Sequence, residues 1–244
     1  MTDRVAVSSP RLNARIAGFV YLCTGAAVFA VFTRSTLIVG GDAMATAHNI
    51  LASELVFRLA VAADLIAFAA YIGVTAILYE LLKPVSRSLS LVAAFFGLAG
   101  CATSAIYSVN YLVPLILLGG QNYLAAFAPE QLHALALVSL KLSAIGATLG
   151  MMFFGFYCLL LGCLIIESTF LPRIIGVLLV ITGLCYLAYT FASFLVPTFA
   201  AHLLPGILLP GLAGEGSLGL WLLVVGVNAS KWQKQASAAG ECRS

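Results

Sequence analysis

The chain has 244 residues, of which 62% are hydrophobic and 9% charged, with a formal net charge of +3 and a mean hydropathy of +1.09. Soluble domains are about half apolar and about a quarter charged, so this chain holds too few polar residues to coat a globule in water. The balance excludes a water-soluble fold and, with so little positive charge, a nucleic-acid partner; it implies an all-α, polytopic membrane protein.

A spanning helix needs about 20 mostly apolar residues to cross a hydrocarbon core of about 30 Å. Six runs meet that need: Ala14 to Phe32, Leu51 to Leu82, Leu89 to Leu118, Gln131 to Ile166, Pro172 to Leu195, and Leu208 to Val227. The first follows Arg4, Arg11 and Arg15 but is long for a signal peptide, so it is expected to be retained as a span. Pro129 and Pro172 suit first-turn positions, where no backbone donor is lost. The stretch 197–216, PTFAAHLLPGILLPGLAGEG, is rich in Pro and Gly and leaves open whether this part is re-entrant. The expected organisation is one six-helix transmembrane domain over residues 14–230, with tails at 1–13 and 231–244.

Lys and Arg concentrate on the cytoplasmic side of membrane proteins. An inward N-terminus places Arg4, Arg11, Arg15, Lys83, Arg87, Arg173, Lys231, Lys234 and Arg243 inside, leaves Arg34 in an outer loop, and puts Arg58 and Lys141 within spans. Both termini are therefore expected to be cytoplasmic, with Trp232 as an interfacial anchor beside Lys231 and Lys234.

The second, third and fourth runs are longer than the bilayer requires. Their inner ends are pinned by Lys83, Arg87 and Glu167, so the surplus is expected on the outer side. Counting about 20 residues back from each pin puts Glu54, Arg58, Asp64, Tyr107, Asn110 and Lys141 near one depth, the outer interface. Glu54 and Arg58, four apart, are expected to pair on one helix face. Asp64 needs another partner, and Lys141 is the candidate. Glu215, which the sixth run must include to reach spanning length, is expected in the same outer half. Intramembrane ionisable groups are candidates for function. The expected site therefore takes Asp64, Glu54 and Glu215 as acid–base groups. Arg58, Lys141, Tyr107, Asn110, Tyr111 and His133 are expected to contact the ligand. The bland alternative is a polar clamp that only holds helices together.

The histidines, His48, His133 and His202, show no H-x-x-x-H or H-E-x-x-H spacing, so no metal or other cofactor is expected. The six cysteines form no C-x-x-C pair and read as small buried hydrophobes. GATLG, Gly146 to Gly150, is a G-x-x-x-G, which in membranes marks close helix packing.

Two patterns carry a resemblance. One is Asn49, Ile50, Glu54, Phe57, Arg58, Asp64 and Leu65; the other is the run from Glu167 and Ser168 to Pro172, Arg173 and Gly176. With GMMFFGFYCLLLGCLIIE and EGSLGLWLLVVGVN they resemble an uncharacterised bacterial family of small integral-membrane proteins that carry a domain of unknown function. Tyr157 stands where members of that family often have His. The resemblance implies a multi-pass protein of the bacterial cytoplasmic membrane and transfers no activity. From the residues, the expected function is binding or acid–base modification of a lipid or isoprenoid-like amphiphile, by analogy with membrane terpene cyclases. A small proton-coupled transporter and a non-catalytic scaffold are the alternatives.

Overall fold

Helix formation in a bilayer follows from one constraint: with no water to bond, each backbone N–H and C=O must find a partner within its own segment. The computed structural model describes residues 9–203 and 206–241, and they form helices with no strand among them. In chain order these are α1 (Pro10–Cys23), α2 (Ala26–Leu37), α3 (Ala43–Ala52), α4 (Glu54–Leu82), α5 (Arg87–Ser108), α6 (Val113–Leu117), α7 (Pro129–Glu167), α8 (Arg173–Leu195), α9 (Pro197–Leu203), α10 (Leu209–Val224) and α11 (Ala229–Glu241).

Five segments are long and apolar enough to cross a membrane: Pro10–Leu37, which joins α1 and α2, then α4, Arg87–Leu117, α7 and α8. The sixth expected span is α10, 16 residues long, bent by 105° from α11. The count is thus five, or six if that bent pair is one span. The surface is lined with apolar side chains such as Phe19, Leu65, Ile106 and Leu195. In water they would form an unusually large apolar patch; in lipid they are solvated.

Local chemistry sets the boundaries. Pro129 opens α7 and Pro172 is the N-cap residue of α8, as their fixed φ favours. Asp42 caps α3, its Oδ1 accepting from the Ala45 N–H at 2.8 Å. A break at Ser53, whose N–H turns back to the Asn49 and Ile50 carbonyls, separates α3 from α4, so the second expected run is two elements. A 3-10 turn over Val109–Tyr111 likewise divides the third run into α5 and α6.

The chain forms two compact units, with α4, α5 and α7 contributing to both. The first comprises Met1–Leu22, Ala70–Gly100 and Met151–Ser244. Its α7–α8 packing is made by glycine. A methyl group added to Gly162 would lie 2.7 Å from the Gly176 carbonyl oxygen, and one on Gly183 would lie 2.6 Å from that of Gly155. Backbones approach this closely only where side chains are absent, the small-residue rule of membrane interfaces. The expected C-terminal tail is α11. Its Trp232 indole N–H donates to the Leu81 carbonyl at 2.8 Å, and Gln235 Oε1 accepts from Thr169 N–H and Oγ1 at 3.0 and 2.9 Å.

The second unit comprises Cys23–Ala69 and Cys101–Gly150. Ile50, Phe57 and Leu140 form its buried core, with Leu37, Ile38, Tyr111 and Leu115 packed against them. Gly146, the first glycine of GATLG, lies directly against the Tyr107 ring, which a side chain there would displace.

Candidate functional site

The expected charge cluster resolves into separate groups. In the second unit the buried one is Arg34 with Asp64. Arg34 Nη1 donates to Asp64 Oδ2 at 2.6 Å and Nη2 to Oδ1 at 3.2 Å. Both side chains are nearly covered, at 8% and 7% exposure. The guanidinium lies 4.2 Å from the centroid of the Tyr111 ring, over its face. A forked pair of charge-assisted bonds engages both carboxylate oxygens, and a cation–π contact covers one face of the guanidinium.

This corrects two expectations. Asp64 pairs with Arg34, not Lys141; Lys141 is exposed and belongs to no ion pair among the described residues. Arg34 is not in a loop but in the last turn of α2, buried. Hydropathy hid it, because Thr33–Arg34–Ser35–Thr36 reads as the polar end of a span. The usable signal was electrostatic: Arg34 was the one basic residue that the charge asymmetry left on the outer side, and Asp64 lacked a cation.

Glu54 and Arg58 do pair, with 2.8 Å from Arg58 Nε to Glu54 Oε1. Their side chains are about half exposed, at 48% and 54%, so they do not share the enclosed setting of Asp64. Asn110 Nδ2 donates to the Tyr107 carbonyl at 3.1 Å, and Ser143 Oγ to the same oxygen at 3.0 Å. His133 is half-buried, His48 and His202 exposed. Among the described residues no three His, Cys, Asp or Glu side chains gather as ligands for a metal ion.

The Asn49–Asp64 pattern acquires a physical meaning from these contacts. Asn49 Nδ2 donates to the Leu37 carbonyl at 3.2 Å, at the end of α2, and Asp64 holds Arg34 on the same helix. Ile50 and Phe57 fill the core between them. The spacing therefore registers α2 against α3 and α4.

Glu215 stands in the first unit with other partners. Tyr21 on α1 donates to Oε2 at 3.1 Å, and Tyr186 on α8 donates to Oε1 at 3.0 Å. The Cys158 thiol on α7 donates to Oε1 at 3.8 Å. The ion pairs among the described residues are Arg34–Asp64, Arg58–Glu54 and Lys83–Glu80, so Glu215 has no cationic partner there.

Small residues bring these groups together. Gly211 and Gly214 on α10 lie against the Tyr186 hydroxyl and Thr182, and Gly18 on α1 lies against the α10 backbone at Leu223. Thr182 Oγ1 also donates to the Pro210 carbonyl at 2.6 Å. Beside the carboxylate is an aromatic stack. The Tyr71 ring is edge-on to Tyr21 at 5.9 Å and packs on Phe154 at 4.7 Å and Tyr157 at 5.6 Å. Among the described residues, the Tyr71 hydroxyl is the one buried side-chain polar group with no hydrogen-bond partner. Sequence reasoning picked Glu215 but missed Tyr21, Tyr71, Cys158 and Tyr186. Tyrosines inside apolar runs were the available signal, since a buried phenol normally seeks a partner.

An all-helical chain with several spans, a lipid-facing apolar surface and ionisable groups inside its helices is a polytopic membrane protein. It belongs to the family described as Domain of unknown function (DUF4386), whose model matches residues 16–226. No curated protein and no solved structure matches the chain.

Proposed function

We propose that the protein binds a membrane lipid or isoprenoid-like amphiphile in the bacterial cytoplasmic membrane and acts on it by acid–base, non-redox chemistry, with Glu215 as the proton-transferring group. One observation carries this reading: a carboxyl group within the helices is held by two phenols and a thiol and by no cation. A group so placed is costly to keep in a membrane and is a functional candidate by default. In the proposed step the Glu215 carboxyl gives its proton to an alkene carbon or a leaving oxygen of the ligand. The Tyr21 and Tyr186 hydroxyls then stabilise the carboxylate left behind. The faces of the neighbouring aromatic rings suit positive charge developing on the ligand. This reading takes Glu215 rather than Asp64 as the acid–base group, since Arg34 engages both Asp64 oxygens.

Mass spectrometry of organic molecules that co-purify with the protein tests this reading. Glu215→Gln keeps the size of the side chain and removes the transferable proton. A lipid-like molecule should accompany the wild-type protein, and the variant should carry a changed bound set, with unconverted ligand accumulated or the ligand lost, without altering its thermal unfolding. Absence of any such molecule from wild type, or an identical bound set in Glu215→Gln, overturns the proposal.

The same absence of a cation favours a second reading, proton-coupled transport, in which a proton is the counter-ion of Glu215. Proteoliposomes under an imposed pH gradient separate the two: uptake driven by the gradient and lost in Glu215→Gln favours transport.

A further inference from the structure

Between α11 and the α4–α5 turn lies an open surface pocket of about 480 Å³, lined by Tyr79, Glu80, Lys83, Arg87 and Trp232, with Ala239 among the small residues on the α11 side. Its physical character follows from the two elements that form it. On α11, Ala229, Trp232, Ala236 and Ala239 are half-buried on one face, while Lys231, Gln233, Lys234 and Ser237 are exposed on the other. A helix with this division, bent by 105° from the apolar α10, has the form of an element lying along a bilayer surface. Tyr79 and Trp232 are of the residue types enriched at the headgroup level of a bilayer.

The charges in the pocket are unequal. Glu80 is paired with Lys83. Arg87, exposed, pairs with no carboxylate among the described residues. One unneutralised guanidinium therefore lines the pocket, with Lys83 beside it and Lys231 and Lys234 on the open face of α11. A guanidinium presents a fork of N–H donors that matches the oxygens of a phosphate. Basic pockets at this level of a membrane protein suit anionic headgroups.

We infer that this pocket holds the phosphate of an anionic phospholipid from the leaflet along which α11 lies, with Arg87 as the principal contact and Lys83 as the second. The small side chains of Ala236 and Ala239 leave room beside Trp232 for the headgroup. The site is separate from the Glu215 group and does not depend on any reading of it.

The test uses the full-length protein and native mass spectrometry, titrating phosphatidylglycerol against phosphatidylcholine, with inorganic phosphate as competitor. Wild type should retain phosphatidylglycerol in preference to phosphatidylcholine. Arg87→Gln and Lys83→Gln should each weaken that retention about fivefold, as expected for loss of one basic group near an anionic surface. Glu80→Gln removes the opposing carboxylate and should strengthen retention, an effect that misfolding would not produce. Inorganic phosphate should not displace the lipid. Equal retention of the two lipids, or no response to any of the three substitutions, overturns the inference. Displacement by inorganic phosphate overturns the lipid as the source and assigns the pocket to a free anion.

Discussion

Arg34 closes on Asp64 through two hydrogen bonds, 2.6 and 3.2 Å long, and both side chains are buried. A pair so enclosed behaves as a unit. Removing one member strands the other without water or a counter-charge, at a cost of about 3–5 kcal/mol, whereas replacing both by apolar residues is far milder. Arg34→Met and Asp64→Leu should each lower the thermal stability of the detergent-solubilised protein sharply, and the double variant should recover most of it. Additive losses in the double variant would show that the two residues act separately.

The Glu54–Arg58 pair should behave in the opposite way. It is half exposed and local to one helix, so Glu54→Gln or Arg58→Gln should change stability by less than about 0.5 kcal/mol. Lys141, exposed and in no ion pair among the described residues, should tolerate Gln as mildly. A loss in either case comparable to that of Asp64→Leu would place these residues in the buried network after all.

Glycine substitutions on α7 and α10 should differ in sign. Gly162→Ala puts a methyl 2.7 Å from the Gly176 carbonyl oxygen, where backbone must move, and should cost about 1–3 kcal/mol. Gly216, in a helix with nothing within 4 Å of an added Cβ, should accept Ala with a gain of about 0.5–1 kcal/mol. Thermal unfolding of the two single variants decides it; equal effects would contradict the close α7–α8 approach.

Orientation rests on the distribution of Lys and Arg, and we propose that both termini are cytoplasmic. Gly40 is exposed in the α2–α3 turn, with nothing within 4 Å of an added side chain. In a cysteine-free background, Gly40→Cys should react with a membrane-impermeant thiol reagent added to intact cells. Labelling only after the cytoplasmic side is opened would reverse the topology.

Much of the architecture was legible in the sequence. A chain this apolar cannot fold in water, helices are the form in which such a chain satisfies its backbone, and the lengths of apolar runs mark where they lie. The pairing of Glu54 with Arg58 was equally legible, because a spacing of four fixes neighbours on a helix whatever surrounds it. Partners on different helices were not. Arg34 reaches Asp64 across 30 positions, and Tyr21 reaches Glu215 across 194. The sequence shows that a buried charge needs a partner but does not say which, since that depends on which helices pack and in what rotation. Tertiary structure made the choice through small residues: Gly18, Gly211 and Gly214 let backbones approach until two phenols met one carboxylate. Helix packing also turned the expected C-terminal tail into α11, held by the Trp232 and Gln235 hydrogen bonds, whose acceptor and donors become neighbours only when the other helix ends are in place.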